Sequence, residues 1–160
     1  QLSRISEALN GCSFGFNTSL LYTNVKLNER TSNIDTFKEE RELQGASKWL
    51  MNADLRYQFN INENWSNTMS LVSNIYGKRI ETVGVNGLDH IYENPFHKLD
   101  FVWSQNIAQK WDIKFSVDNI LNPRYSQEIG EESTFTVTKD RTVFDYKRGV
   151  GFSLNLGYTF

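Results

Sequence analysis

The chain has 160 residues, of which 39% are hydrophobic and 14% aromatic, with a formal net charge of −2 and one cysteine. This length suggests one domain, the charge gives no electrostatic reason to expect a nucleic acid partner, and a single cysteine excludes an internal disulfide framework. The mean hydropathy is −0.52, and no apolar run approaches the roughly 20 residues of a membrane-spanning helix.

Six segments of the sequence alternate apolar or aromatic residues with small or polar ones. This period of two predicts β-strands with one apolar and one polar face, and no helical period competes with it. The segments cover residues 14–25, 47–60, 65–76, 97–107, 111–121 and 148–160. The polar face is expected to hold charges of both signs, namely Asp54, Arg56, Lys98, Asp100, Asp112, Lys114 and Asp118.

The connections between the predicted strands are alternately short and long. Residues 60–64 and 108–110 make short turns, whereas residues 26–46, 77–96 and 122–147 make long polar loops. Up-and-down barrels of bacterial outer membranes have this sorting of loop lengths, with tight turns on one side and long loops on the other. A strand of about twelve residues, tilted near 45°, rises about 28 Å, enough for an apolar band about 25 Å tall.

Six strands are too few to close a membrane barrel, because bacterial barrels have at least eight and an open edge in lipid leaves backbone groups unpaired. We therefore expect residues 1–160 to be the C-terminal part of one outer-membrane β-barrel domain. Gln1 is then internal to a longer product, and residues 1–5 belong to the end of a preceding strand.

The stretch from Asp112 to Tyr125 resembles a recurring segment of TonB-dependent outer-membrane receptors, whose penultimate strand ends in the element N-L-[FL]-[DN]-x-x-Y. Asn119, Leu121, Asn122 and Tyr125 fit this element, with Ile120 and Pro123 as variants. Three further stretches are similar to parts of such receptors, the last of them to the terminal strand of receptors from the Bacteroidota. They are residues 97–103, 77–79 and 146–160.

The resemblance implies a 22-stranded barrel that is plugged by an N-terminal domain and driven by TonB. It also implies uptake of an iron chelate, cobalamin, a glycan or a peptide. The plug and the TonB box lie outside these 160 residues. The expected partners are outer-membrane lipid, the remainder of the barrel and its plug, TonB acting through that plug, the barrel-assembly machinery and a surface lipoprotein.

Two sets of residues are candidate functional sites. The apolar residues of the terminal strand resemble the signal that the barrel-assembly machinery captures by strand addition; they are Phe152, Leu154, Leu156, Tyr158 and Phe160. Aromatic and basic residues of the long loops are candidates for contact with a ligand, because rings stack on sugars or chelates and cations hold anionic groups. They are Tyr76, Lys78, Arg79, His90, Tyr92, Arg124 and Tyr125. The charged run from Phe37 to Glu42 is interpreted as a solvated loop.

No metal site, cofactor site or catalytic site is predicted. His90 and His97 lack a metal-ligand spacing, and Ser104, His97 and Asp100 are the nearest approach to a catalytic triad. Three alternatives remain open beside the receptor: a porin-like channel without a plug, a soluble β-sandwich that binds a ligand, and an outer-membrane hydrolase.

Overall fold

The computed structural model describes residues 10–26, 40–85, 88–130 and 141–160. This part of the chain is all-β and antiparallel, as the sequence predicts. Its strands are β1 (Cys12–Leu20), β2 (Val25–Lys26), β3 (Glu40–Arg41), β4 (Trp49–Asn62), β5 (Trp65–Tyr76), β6 (Arg79–Thr82), β7 (Ile91–Glu93), β8 (Phe96–Ile107), β9 (Trp111–Asp118), β10 (Arg124–Ile129), β11 (Thr142–Lys147) and β12 (Gly151–Tyr158). The described residues contain no helix long and apolar enough to cross a membrane.

The six predicted strands form one sheet, here called the main sheet, in the order β1-β4-β5-β8-β9-β12. Each strand pairs antiparallel with the next one in this order, which is the up-and-down arrangement that the sequence predicts. Several strand boundaries differ from the prediction by one to five residues. The first strand ends at Leu20 instead of residue 25, and the fifth ends at Asp118 because Asn119 takes a left-handed φ of 60°, which cannot continue a strand.

The two short turns lie at the same end of the main sheet, here called the turn end. One joins Asn62 to Trp65 and the other joins Ile107 to Trp111. The second turn has left-handed backbone at Ala108 and Gln109, with φ of 54° and 57°; positive φ gives a tight turn the twist that antiparallel strands need. The opposite end, from which the long connections leave, is here called the loop end.

The sequence analysis predicts that the long connections are loops, but these connections contain additional strands. β2 pairs with β3, and the later connections supply a second sheet in the order β11-β10-β7-β6. These strands have two to six residues, which is too short for a period of two to stand out from the surrounding polar sequence. The prediction that these connections are polar loops was therefore wrong where they form β2, β3, β6, β7, β10 and β11.

The register of the main sheet produces one apolar and one polar face. A single row across all six strands joins Phe14, Leu55, Leu71, Phe101, Val117 and Phe152. Side chains alternate along a strand, so this row defines the apolar face and its sequence neighbours define the polar face. The apolar face is open to the surroundings, with 70% of Phe14 and 71% of Phe152 exposed.

The buried hydrophobic residues lie at and beyond the loop end. Among the described residues they are Ile80, Phe96 and Tyr125. The apolar face of the main sheet therefore contributes nothing to a closed hydrophobic core in this part of the chain.

Candidate functional site

All four tryptophans of the chain lie on the apolar face of the main sheet. They are Trp49, Trp65, Trp103 and Trp111. Their register places Trp65 and Trp111 at the turn end and Trp49 at the loop end, with Trp103 between them. Tryptophan prefers the zone between water and hydrocarbon because its ring is apolar and its N–H is polar.

Several polar side chains on the apolar face form hydrogen bonds with one another, whereas the buried Nδ2 of Asn67 has no partner among the described residues. The indole N–H of Trp65 donates to Oε1 of Gln105 at 3.1 Å, and the indole N–H of Trp103 donates to Oδ1 of Asn67 at 3.2 Å. Nearer the loop end, Ser73 Oγ and His97 Nε2 share a hydrogen bond of 2.9 Å. Such pairing lowers the cost of polar atoms on an otherwise apolar surface.

The polar face carries charges of both signs, and part of the predicted set is paired. Lys98 Nζ lies 2.7 Å from Asp100 Oδ2 and 4.0 Å from Asp118 Oδ1. Asp112 accepts a hydrogen bond from Asn106 Nδ2 at 2.8 Å. Within the part of the chain that the structure describes, Arg56 has no ion-pair partner, so the face is only partly neutralised.

The two outer strands of the main sheet, β1 and β12, each pair on one side only among the described residues. β12 carries the predicted assembly signal, and its side chains are accessible. The exposed residues of that signal are Phe152, Leu154, Leu156, Tyr158 and Phe160. A strand with one free edge and an accessible apolar row can be extended by strand addition.

Three of the predicted ligand-contact residues belong to an internal network at the loop end. Glu93 is fully buried; it accepts hydrogen bonds from Tyr76 Oη at 2.6 Å and from Arg79 Nε at 2.7 Å. The guanidinium of Arg79 also lies 4.6 Å from the ring centre of Tyr76. Tyr125 is buried beside Phe96, with ring centres 6.2 Å apart.

Arg148 lies over this aromatic cluster. Its guanidinium is 4.9 Å from the ring centre of Tyr125 and 5.3 Å from that of Phe96. Burial raises the pKa of the Tyr125 phenol, so this ring is uncharged at neutral pH. The network gives Tyr76, Arg79 and Tyr125 a structural role, and their contact with a ligand stays a prediction.

The other four predicted ligand-contact residues are distributed around the second sheet. Lys78 Nζ lies 4.9 Å from the ring centre of Tyr92, and His90 Nδ1 accepts a hydrogen bond from the Gly84 N–H at 3.0 Å. Arg124 pairs with Asp145 at 2.7 Å on an exposed surface. The structure therefore brings His90 and Tyr92 together and places Arg124 elsewhere.

A cleft of about 280 Å³ separates the β2–β3 pair from the second sheet at the loop end. It is lined by Tyr22, Thr23, Asn24, Glu40, Arg41, Glu42, Ile80, His90 and Tyr92. The sequence interpretation found His90 and Tyr92 but missed Tyr22 and Arg41. The run that contains Arg41 was read as a solvated loop; its residues 37–39 lie outside the described part of the chain, whereas Glu40 and Arg41 form β3 and line the cleft.

The charged groups of the cleft differ in how well they are paired. Glu40 lies 2.7 Å from Lys26 Nζ, and Glu42 lies 2.6 Å from Lys48 Nζ. The hydrogen bond from Lys26 lowers the pKa of Glu40, and the hydrogen bond from Glu42 raises the pKa of Lys48. Glu40 and Lys48 are consequently ionised at neutral pH.

Arg41 is the exception in this cleft. Its Nη1 donates to the backbone oxygen of Glu42 at 3.1 Å. Its Nε is buried and has no acceptor among the described residues. A buried donor without an acceptor costs about 1–3 kcal/mol, so the cleft holds an unused hydrogen-bonding edge.

Ser104, His97 and Asp100, the nearest approach to a catalytic triad in the sequence, are not brought together. His97 points to the apolar face, where it bonds Ser73, whereas Ser104 and Asp100 occupy the polar face by their register. In the described ranges, no three His, Cys, Asp or Glu side chains are grouped so that they could hold a metal ion.

Comparisons with protein-family models, with curated proteins and with solved structures gave no match to this chain.

Proposed function

We propose that the main sheet is part of the wall of a transmembrane β-barrel in a bacterial outer membrane, and that the barrel belongs to a TonB-dependent receptor. In this proposal the chain contributes the last strands of a larger barrel. The receptor takes up a scarce nutrient such as an iron chelate, cobalamin, a glycan or a peptide, and its chemistry is limited to binding and passage.

The observation that carries the proposal is the uncovered apolar face, continuous across six strands. Strands about 4.8 Å apart and about 30 Å long make such a face on the order of 700 Å² in area. The largest apolar patch of a typical soluble monomer is about 300–600 Å². Exposing an apolar face of this size to water costs free energy, whereas contact with the hydrocarbon of a bilayer does not.

The arrangement of the second sheet weighs against a soluble β-sandwich. A sandwich buries the apolar face of one sheet under another at about 10 Å. Leu55, Leu71 and Phe152 stay exposed, so the described strands of the second sheet do not cover the apolar face of the main sheet. These strands come between strands of the main sheet in the sequence and lie at its loop end. In this proposal they extend the barrel wall beyond the apolar band.

The ends of the apolar face also support a membrane. Trp65, Trp111 and Tyr158 lie at the turn end, where the rings of Trp111 and Tyr158 are 4.7 Å apart. Trp49 lies at the loop end. Outer-membrane barrels carry aromatic girdles at both interfaces of the bilayer.

The position of the four tryptophans gives a direct test of the membrane wall. Single-tryptophan variants, in which phenylalanine replaces the other three, are reconstituted in vesicles whose lipids carry bromine at a known depth. We expect deep bromines to quench Trp103 most strongly, and shallow bromines to quench Trp49, Trp65 and Trp111. Full quenching by aqueous iodide with no effect of brominated lipid would overturn the proposal.

The receptor part of the proposal needs its own experiment. The full-length protein is cross-linked in living cells under nutrient limitation and purified. We expect TonB to be recovered with it. Recovery of the barrel without TonB would refute the receptor and leave the membrane wall intact.

A further inference from the structure

The loop-end cleft is lined by an arginine, Arg41, with an unsatisfied donor atom. Nη1 of Arg41 is bound to the Glu42 backbone oxygen, and its buried Nε has no acceptor among the described residues. The Nε edge of a guanidinium carries two parallel N–H groups, the arrangement that matches the two oxygens of a carboxylate or phosphate. The free edge therefore has the geometry of an anion site.

The charge balance of the cleft favours an anion over a cation. Glu40 and Glu42 line the cleft, but each carboxylate is held by a lysine of its own, at 2.7 Å and 2.6 Å. Lys78 adds a further positive charge over the Tyr92 ring, at 4.9 Å. Among the described residues, Arg41 and Lys78 are thus the positive charges near the cleft that have no carboxylate partner.

The rings of the cleft favour a ligand with a flat body. Tyr22 is 89% exposed and Tyr92 lines the same cleft. Exposed aromatic faces bind sugar rings and other flat groups by dispersion, and a cleft of about 280 Å³ is close to the lower bound of small-molecule sites.

We propose that the cleft between the β2–β3 pair and the second sheet binds a small anion, a carboxylate or phosphate carried on a ring, with Arg41 holding the anionic group and Tyr22 and Tyr92 contacting the ring. The inference rests on the proposed function for its biological meaning, as a surface subsite of a receptor. The binding itself needs only the folded protein.

The experiment is calorimetric titration of the full-length protein in a non-ionic detergent with three probes. Glucuronate carries a carboxylate on a sugar ring, glucose 6-phosphate carries a phosphate, and glucose is neutral. We expect saturable binding of at least one anion and none of glucose; the tighter anion identifies the group that the cleft selects.

Two variants assign the binding to the cleft. Arg41→Lys keeps the charge but removes the two-donor edge, and we expect at least tenfold weaker anion binding. The matched control is Arg56→Lys, which changes an exposed arginine on the polar face of the main sheet, outside the cleft lining, and leaves the affinity unchanged. Equal affinity in the Arg41→Lys variant, or equal binding of glucose, would overturn the proposal.

A measurement on the unmodified protein covers the case in which Arg41→Lys fails to fold. The ¹H–¹⁵N signal of the Arg41 Nε group is expected to shift as the anion is added, and to return when the anion is removed by dialysis. An unmoved signal at saturating probe would contradict the site. Because these measurements use detergent micelles, a failed bromine-quenching test would overturn the membrane wall without affecting the anion site.

Discussion

The side-chain amide of Asn119 donates a hydrogen bond of 2.6 Å to the backbone oxygen of Gly149. This contact joins the end of β9 to the start of β12 across a connection that leaves the main sheet and returns. Asn122 adds a second contact, because its Oδ1 accepts from the Gly149 N–H at 3.0 Å. The backbone N–H of Asn119 also donates to Asp100 Oδ1 at 2.8 Å, so β8, β9 and β12 are held together at one place.

Replacing Asn119 by alanine is expected to destabilise the folded chain by about 2–3 kcal/mol. About 1–2 kcal/mol comes from the lost hydrogen bond to Gly149, and about 1 kcal/mol comes from placing alanine at a left-handed φ. Asn119→Gly separates the two contributions because glycine tolerates this φ, and it should cost only the hydrogen bond. The free energy of unfolding in urea, measured in detergent micelles, distinguishes the variants; equal stability of all three proteins would contradict the role of this contact.

Replacing Glu93 by glutamine is expected to destabilise the loop end by about 2–3 kcal/mol. The isosteric amide leaves Arg79 without its carboxylate partner, and breaking a fully buried ion pair costs about 3–5 kcal/mol. The loss is smaller here because the Arg79 side chain keeps 31% exposure. Thermal unfolding followed by circular dichroism measures the change.

The double variant Glu93→Gln with Arg79→Met is the control for this effect. It removes the charge that the single variant leaves behind, so part of the stability should return. A double variant less stable than Glu93→Gln alone would show that Arg79 acts mainly through its contact with the Tyr76 ring.

The sequence was sufficient to predict the six strands of the main sheet and their order. The alternation of apolar and polar residues, as at Phe152, Leu154 and Leu156, can be seen within one strand. A shift of one residue in the strand pairing would move these apolar side chains to the polar face. The sequence pattern therefore specifies the register of the sheet. The motif that suggested a receptor also has a physical explanation in the structure. The side chains of Asn119 and Asn122 form hydrogen bonds with the backbone of Gly149, and the ring of Tyr125 packs against Phe96.

The loop end could not be predicted in the same way, because its contacts join residues that no local pattern relates. Arg79 of β6 pairs with Glu93 of β7, and Arg148, which directly follows β11, contacts Tyr125 of β10. The cleft has the same origin, since Arg41 and Tyr22 are brought together by a two-residue pairing of β2 with β3. Composition marked these loops as polar and did not show which of their charges would be paired.

Arginine substitutions at two adjacent positions of β5 test the faces of the main sheet. Leu71 lies in the central apolar row, whereas Val72 faces the polar side between Asp54 and Asp100. In a bilayer, Leu71→Arg is expected to cost about 2–4 kcal/mol, because a charge near the midplane meets hydrocarbon. Val72→Arg should cost less than about 1 kcal/mol, because the new charge lies between two carboxylates. Unfolding titrations in vesicles measure both; equal costs would argue against a lipid-facing apolar side.

Deletion of Phe160 from the full-length protein is expected to lower the amount of assembled barrel several-fold. The Phe160 ring is fully exposed beyond the end of β12, where it contacts Tyr158 at 5.0 Å between ring centres. It buries little surface, so its loss should barely change stability in detergent, while the machinery that captures the strand edge loses an anchor. Heat-modifiable protein in the outer-membrane fraction reports assembly, and refolding in detergent reports stability. Phe160→Tyr, which keeps an aromatic ring at this position, should assemble normally, and undiminished assembly of the deletion variant would rule out a signal at this residue.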